Sequence, residues 1–155
     1  MKESSRIRIK IPPPIVTLLF GVLMYFLDPI YHVEVSIGVR DVLILSLLLA
    51  SLILLLPAVV QFFKNKTTVN PFKPEKSKVL VVAGVYRYSR NPMYLGMALI
   101  LTGVAFLLAN LSAFIVLPFF IILMNYLQIK PEEKILEKRF GQSYLEYKKS
   151  VRRWI

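Results

Sequence analysis

The thirteen residues Gly84-Val85-Tyr86-Arg87-Tyr88-Ser89-Arg90-Asn91-Pro92-Met93-Tyr94-Leu95-Gly96 gather two arginines, three tyrosines and an asparagine. Further along the chain stand a carboxylate pair, Glu132-Glu133, and a terminal Arg152-Arg153-Trp154. Guanidinium groups hold carboxylates and phosphates. Tyrosine faces and carboxylates attract organic cations. There is no cysteine, and His32 is the single histidine. Disulfides, thiolate nucleophiles and thiolate metal sites are therefore excluded, and histidine-box oxygenases, zinc enzymes and Ser-His hydrolases lack their imidazoles. No metal site is expected, and chemistry must run on Arg, Lys, Glu, Tyr, Asn and backbone groups. Each cluster also has a plainer reading. Aromatic and basic residues anchor proteins at membrane surfaces. Paired glutamates complement the dipole at a helix start. A basic, tryptophan-bearing tail binds lipid headgroups.

The elements that must position these residues are apolar. Hydrophobic residues make up 56% of the 155-residue chain, too much for a single soluble domain of this size to bury. Four uncharged runs stand out at about residues 11–27, 42–63, 93–109 and 111–127. Each approaches or exceeds the ~17 residues needed to span hydrocarbon, and in lipid each must be helical. The expected fold is thus all-α, an integral membrane bundle of four transmembrane helices in one domain, 1–155. Pro12-Pro13-Pro14 opens the first run and Asp28-Pro29 closes it. Pro57 is a candidate kink in the second. Ala109-Asn110-Leu111-Ser112 should form a tight turn between antiparallel helices. The basic N-terminus lacks a small-residue cleavage site and reads as a retained anchor. No Asp, Glu, Lys, Arg or His falls within the runs, which disfavours a proton-coupled exporter.

Charge sets the orientation. Residues 1–10 carry four basic and one acidic side chain, and 64–92 carry seven basic against Glu75. The tail from 128 has eight basic and four acidic residues, whereas 28–41 has one basic and three acidic. The basic segments alternate onto one side, which the positive-inside rule makes cytosolic, termini included. Two cytosolic pieces remain to carry function. The loop has turn chemistry at Asn70-Pro71 and Lys73-Pro74, followed by the β-branched stretch Val79–Val82. The tail opens at Pro131, a favoured first helical position. Leu136, Phe140, Tyr144, Tyr147 and Val151 then recur every three or four residues, marking a C-terminal amphipathic helix with Gly141 as a candidate break.

The order Gly-x-Tyr-Arg-Tyr-x-Arg-Asn-Pro-Met-Tyr-x-Gly, an apolar hairpin, Pro-Glu-Glu, then Phe-Gly-x-x-Tyr-x-x-Tyr and a basic end resembles the isoprenylcysteine carboxyl methyltransferase and phospholipid methyltransferase superfamily. The resemblance runs from about Thr67 to Ile155, with Thr67-Thr68-Val69-Asn70-Pro71 as a weaker opening element. It implies an S-adenosylmethionine site on the cytosolic side. By matching motif, the cofactor residues would be Tyr86, Asn91, Pro92, Tyr94, Gly96, Glu132 and Glu133. Arg90 would hold the acceptor, Glu132 could serve as a base, and Arg152 is a further candidate from the tail. Asn91 departs from the histidine of the carboxyl methyltransferases and leaves the acceptor open. A prenylcysteine-like carboxylate is favoured and a phospholipid amine is the alternative.

Methyl transfer from a sulfonium needs alignment rather than an enzyme nucleophile or a metal, so the missing cysteine is no obstacle. The expected partners are a lipophilic or lipid-modified substrate and membrane lipids, with no nucleic acid. The rival readings are an NADPH-dependent, sterol-reductase-like protein and a non-enzymatic scaffold that gathers anionic lipid.

Overall fold

A computed structural model describes residues 11–27, 29–64 and 79–155, with side chains described for 11–27, 29–61 and 79–155. The turn signals at Asn70-Pro71 and Lys73-Pro74, the Thr67–Pro71 element and the basic N-terminal ten residues lie outside them. The described residues are helical, without strands. The order is α1 (Pro13–Phe26), α2 (Ile37–Lys64), a 3₁₀ turn (Gly84–Arg87), α3 (Pro92–Leu108), α4 (Leu111–Met124), a π turn (Asn125–Ile129), α5 (Lys130–Phe140) and α6 (Gln142–Ser150). Val79–Val82 lies outside any helix and pairs with no strand.

Two helices are long and apolar enough to cross a membrane, Ile37–Gln61 within α2 and the continuous rod Leu111–Phe140. The apolar helices Pro13–Phe26 and Pro92–Leu108 are shorter. At 1.5 Å per residue they rise about 21 and 26 Å, against ~30 Å of hydrocarbon. Proline stands in the first turn of both, where its missing N–H leaves no orphan.

Helix bounds differ from the apolar runs in two places. α2 begins at Ile37 rather than near residue 42, so Arg40 and Asp41 are helical and lie side by side at 3.7 Å. Hydropathy marks the span, while a helix continues through charged residues that have adequate helix propensity. The fourth helix does not stop near 127 for a new start at Pro131. A π turn closes with Lys130 N–H donating to the carbonyl of Asn125, and α5 follows directly. In a regular helix the ring of Pro131 would clash with the carbonyl four residues back, and a widened turn just before it relieves that conflict. The apolar sequence ends near Leu127, and charged residues dominate from Lys130 on. Gly141, at φ +51°, does break the amphipathic tail, separating α5 from α6.

α2 packs along α3, and α1 packs against α3 and α4. The core joins Met24, Leu101, Ala105, Ala113, Phe120 and Met124, with the Phe20 and Phe120 rings edge-to-face at 5.3 Å. At one end of the bundle the segment after α1 meets the α3–α4 turn. Val33 N–H donates to Ala109 O at 2.8 Å, Leu111 N–H to Tyr31 O at 3.0 Å, and Ile30 N–H to Ser112 Oγ at 3.0 Å. At the other end Gln128 Nε2 donates to Ile11 O at 2.8 Å and Trp154 Nε1 donates to Asn125 Oδ1 at 3.2 Å. Ile11 and Trp154 therefore lie at the same end of the bundle.

Candidate functional site

The loop before α3 is shaped by its own polar residues. Gly84 takes φ +62° to start the 3₁₀ turn, and a Cβ there would sit 2.8 Å from Gln61 Nε2 of α2. Ser89 is 1% exposed, and its Oγ accepts from Asn91 N–H at 3.1 Å. The fully buried Pro92 then begins α3.

Arg90 reaches away from this loop into the C-terminal segment. Its Nη1 donates to the carbonyls of Lys148 at 2.9 Å and Val151 at 2.7 Å, and its Nη2 donates to Glu133 Oε1 at 2.8 Å. Arg153 completes the cluster with a fork onto the same carboxylate, Nε to Oε1 at 3.0 Å and Nη2 to Oε2 at 2.7 Å. The side chains of Arg90 and Glu133 are each 8% exposed. Burial would raise the Glu133 carboxyl, but the hydrogen bonds and charges of Arg153 and Arg90 prevail and hold it below the usual carboxylate range.

The backbone seals the arrangement. Arg90 N–H donates to Arg152 O at 3.1 Å, Asn91 Nδ2 to Arg153 O at 3.0 Å, and Ser89 Oγ to Arg153 O at 3.4 Å.

Glu132, the neighbouring carboxylate, is treated differently. It is half-buried, makes no ion pair among the described residues, and accepts from Tyr94 Oη at 2.7 Å. Burial, with the adjacent Glu133 charge, pushes its pKa up to about 8 against the lowering effect of the Tyr94 bond. Tyr86, Tyr144 and Tyr147 pack together beneath this pair, and Tyr147 Oη donates to Tyr86 O at 2.7 Å. Burial raises all three phenols, so they stay neutral at physiological pH.

The structure thus brings Arg90, Asn91, Tyr94, Glu132 and Glu133 together, with Tyr86 buried close by. Three expected residues have other positions. Pro92 is a buried helix start. Gly96 faces α2, where a Cβ would fall 2.7 Å from Leu55 Cγ and 3.3 Å from Ser51 O, so its missing side chain serves helix packing. Arg152 is exposed and contributes its carbonyl; the guanidinium in the cluster belongs to Arg153. Three of the five N–H groups of Arg90 are engaged, by Lys148, Val151 and Glu133. Sequence reasoning placed Arg153 and Trp154 in a lipid anchor and passed over Ser89. A run of adjacent basic residues in an irregular tail has no periodicity to say which one turns inward.

An S-adenosylmethionine site can be tested against two groups. Arg90 Nε is buried with no partner among the described residues, a spare cationic donor for a carboxylate. Glu132 makes no ion pair among the described residues and stands next to the Tyr94 phenol, so its raised carboxyl would ionise as a cation binds beside it. A ligand with one carboxylate and cationic ammonium and sulfonium groups complements both. The residues present fit the cofactor.

Residues 39–143 match the phospholipid methyltransferase family. The chain belongs to the phospholipid methyltransferase family. The match contains the 84–96 loop and Glu132-Glu133 and ends before the C-terminal segment that grips Arg90. Among curated relatives of this family member, an uncharacterized protein of Haemophilus influenzae is 43% identical over 63 residues, which is 41% of this chain and all of that one. The protein-S-isoprenylcysteine O-methyltransferases of Saccharomyces cerevisiae and Schizosaccharomyces pombe are 38% identical over 81 residues and 33% identical over 96. These alignments take in 51% and 61% of this chain but only 33% and 40% of the yeast enzymes. No solved structure matches the chain significantly.

Proposed function

We propose that this phospholipid methyltransferase family member transfers a methyl group from S-adenosylmethionine to a lipophilic acceptor at the cytosolic face of a membrane. The observation that carries the reading is the pairing of the cation-free Glu132–Tyr94 contact with the unpartnered Nε–H of Arg90, inside the segment that defines the family. All four apolar helices span the bilayer in this proposal, with both termini cytosolic. The charge partition supports that topology, as does the position of Ile11 and Trp154 at one end of the bundle.

When bound, the cofactor supplies an electrophilic methyl group on a cationic sulfur. Glu132 and the Tyr94 hydroxyl hold the cationic portion and orient it. Arg90 would offer its unpartnered Nε–H to a carboxylate oxygen, and exposed Arg152 would offer a second cation at the mouth. The buried tyrosines Tyr86, Tyr144 and Tyr147 exclude water from beneath the site.

For the acceptor, a prenylcysteine-like carboxylate is favoured, as the two yeast relatives are isoprenylcysteine O-methyltransferases. A carboxylate is already nucleophilic at neutral pH, so methyl transfer to it would need alignment and no proton removal. A phospholipid amine is the second reading, favoured by Glu132: an ammonium must first lose a proton, and the ionised form of Glu132, whose pKa is about 8, can take it. Incubation with labelled methyl donor and either a farnesylated cysteine analogue or phosphatidylethanolamine separates the two. Base-labile label in the first is the expected result. Base-stable label in the second alone would assign the amine, and label in neither would reject the proposed activity on both acceptors.

A further inference from the structure

Residues 151–155 leave α6 without regular structure and form a strap across the site end of the bundle. The strap presents three successive carbonyls, those of Val151, Arg152 and Arg153, to Arg90 and Asn91. An extended chain has no internal register of its own. A slip by one residue would move each carbonyl by about 3.3 Å and turn it to the opposite side, and every one of these bonds would be lost. α6 holds the near end of the strap, where Val151 N–H donates to Tyr147 O at 3.0 Å, and an anchor beyond Arg153 would hold the far end.

Trp154 is the only candidate among the described residues with both a packing face and a directional bond. Its half-buried indole packs against the bundle core, and its Nε1–H donates to Asn125 Oδ1 at 3.2 Å. Asn125 is half-buried and opens the π turn that leads into α5 and Glu133. An indole nitrogen can only donate, so it selects the oxygen of the Asn125 amide. The bond therefore ties the strap to the same continuous helix that carries Glu132 and Glu133.

We propose that Trp154, through its hydrogen bond to Asn125, is a positioning residue for the site: it sets the strap so that Arg153 reaches Glu133 and the strap carbonyls hold Arg90 with its Nε–H left for a ligand. This inference rests on the methyl-donor reading of that site. The groups facing Glu133 are Arg90 from the loop, Arg153 from the strap, Tyr144 from α6 and Glu132 from its own helix, so the Glu133 carboxyl reports whether the strap is in place.

The test uses the full chain in detergent, with ¹³C-labelled glutamate followed by NMR and S-adenosylhomocysteine binding followed by calorimetry. In the wild type Glu133 titrates below the ordinary glutamate range. In Trp154→Phe, which keeps an aromatic ring, and in Asn125→Ala, which keeps the indole, its midpoint should rise toward that range. The double variant should be no worse than either single one. Both single variants should bind S-adenosylhomocysteine at least tenfold more weakly at unchanged helix content. Should Trp154→Phe not fold, Asn125→Ala carries the test, and a red shift in emission from Trp154, the chain's single tryptophan, reports release of the strap. An unmoved Glu133 midpoint, or a moved midpoint with wild-type binding in the variants, overturns the proposal. A moved midpoint in variants of a wild type that binds no S-adenosylhomocysteine leaves the strap's anchoring role standing and removes the methyl-donor reading instead.

Discussion

Arg90 and Glu133 lie forty-three residues apart in sequence and meet at 2.8 Å, each side chain only 8% exposed. Two adjacent glutamates thereby acquire separate duties: Glu133 closes a buried ion cluster with two arginines, and Glu132 is left with a phenol. Breaking a buried, hydrogen-bonded pair by removing one partner strands the other charge, at about 3–5 kcal/mol. Glu133→Ala, which strands the buried Arg90, should destabilise the folded protein by that order in denaturant titrations, and Arg90→Ala, which leaves Glu133 paired with Arg153, should cost less. Arg90→Lys, which cannot reproduce contacts to Glu133, Lys148 and Val151 at once, should recover only part of the loss.

Acid should find the same cluster. The folded Glu133 carboxyl sits below its unfolded value, because the bonds and charges of Arg153 and Arg90 outweigh its burial. Its contribution to stability is therefore fully present above the unfolded value of about 4.3 and is lost as pH falls through the lower folded value. Unfolding free energy measured from pH 6 down to pH 3 should decline for the wild type. The decline should flatten in Glu133→Gln.

Packing between α2 and α3 gives a prediction independent of chemistry. A Cβ on Gly96 would lie 2.7 Å from Leu55 Cγ and 3.3 Å from the Ser51 carbonyl. Gly96→Val should cost roughly 1–3 kcal/mol by overpacking. Gly96→Ala should be milder and should be rescued by Leu55→Ala, since the side-chain contact is the tighter of the two. Thermal unfolding of the two single variants and the double variant checks this. Additive losses would contradict the assigned contact.

The proposed topology is testable with reporter fusions. Fusions at Lys10, Lys76 and Ile155 should report the cytosol, and fusions at Glu34 and Asn110 the opposite side, following the partition of basic residues. A non-cytosolic signal at Lys76 would place the 84–96 loop on the wrong side of the membrane.

The helical architecture was legible because apolar runs and charge segregation are large, local signals. Proline at the starts of α1 and α3 and the turn at Asn110 could be read from side-chain chemistry alone. The site was legible as a set of residues, through the Tyr-Arg-Tyr-x-Arg-Asn-Pro-Met-Tyr order and the Glu pair, but not as a division of labour. Nothing in Glu132-Glu133 says which carboxylate meets arginine, because that depends on the phase of a helix passing through a π turn at Asn125. Gly96 entered the cofactor set by motif match alone, because a glycine announces close approach without naming what approaches. Arg153 was hidden for a related reason: the strap's register is set by tertiary bonds, and neighbouring arginines are equivalent until those bonds form.

Calorimetric titration of S-adenosylhomocysteine into the wild type, Tyr94→Ala and Glu132→Gln tests the central claim most directly. The wild type should bind, and each variant should bind more than tenfold more weakly, about 1.4 kcal/mol, with its helix content retained. Equal affinity in all three proteins would contradict the assignment of Glu132 and Tyr94 as the methyl-donor site.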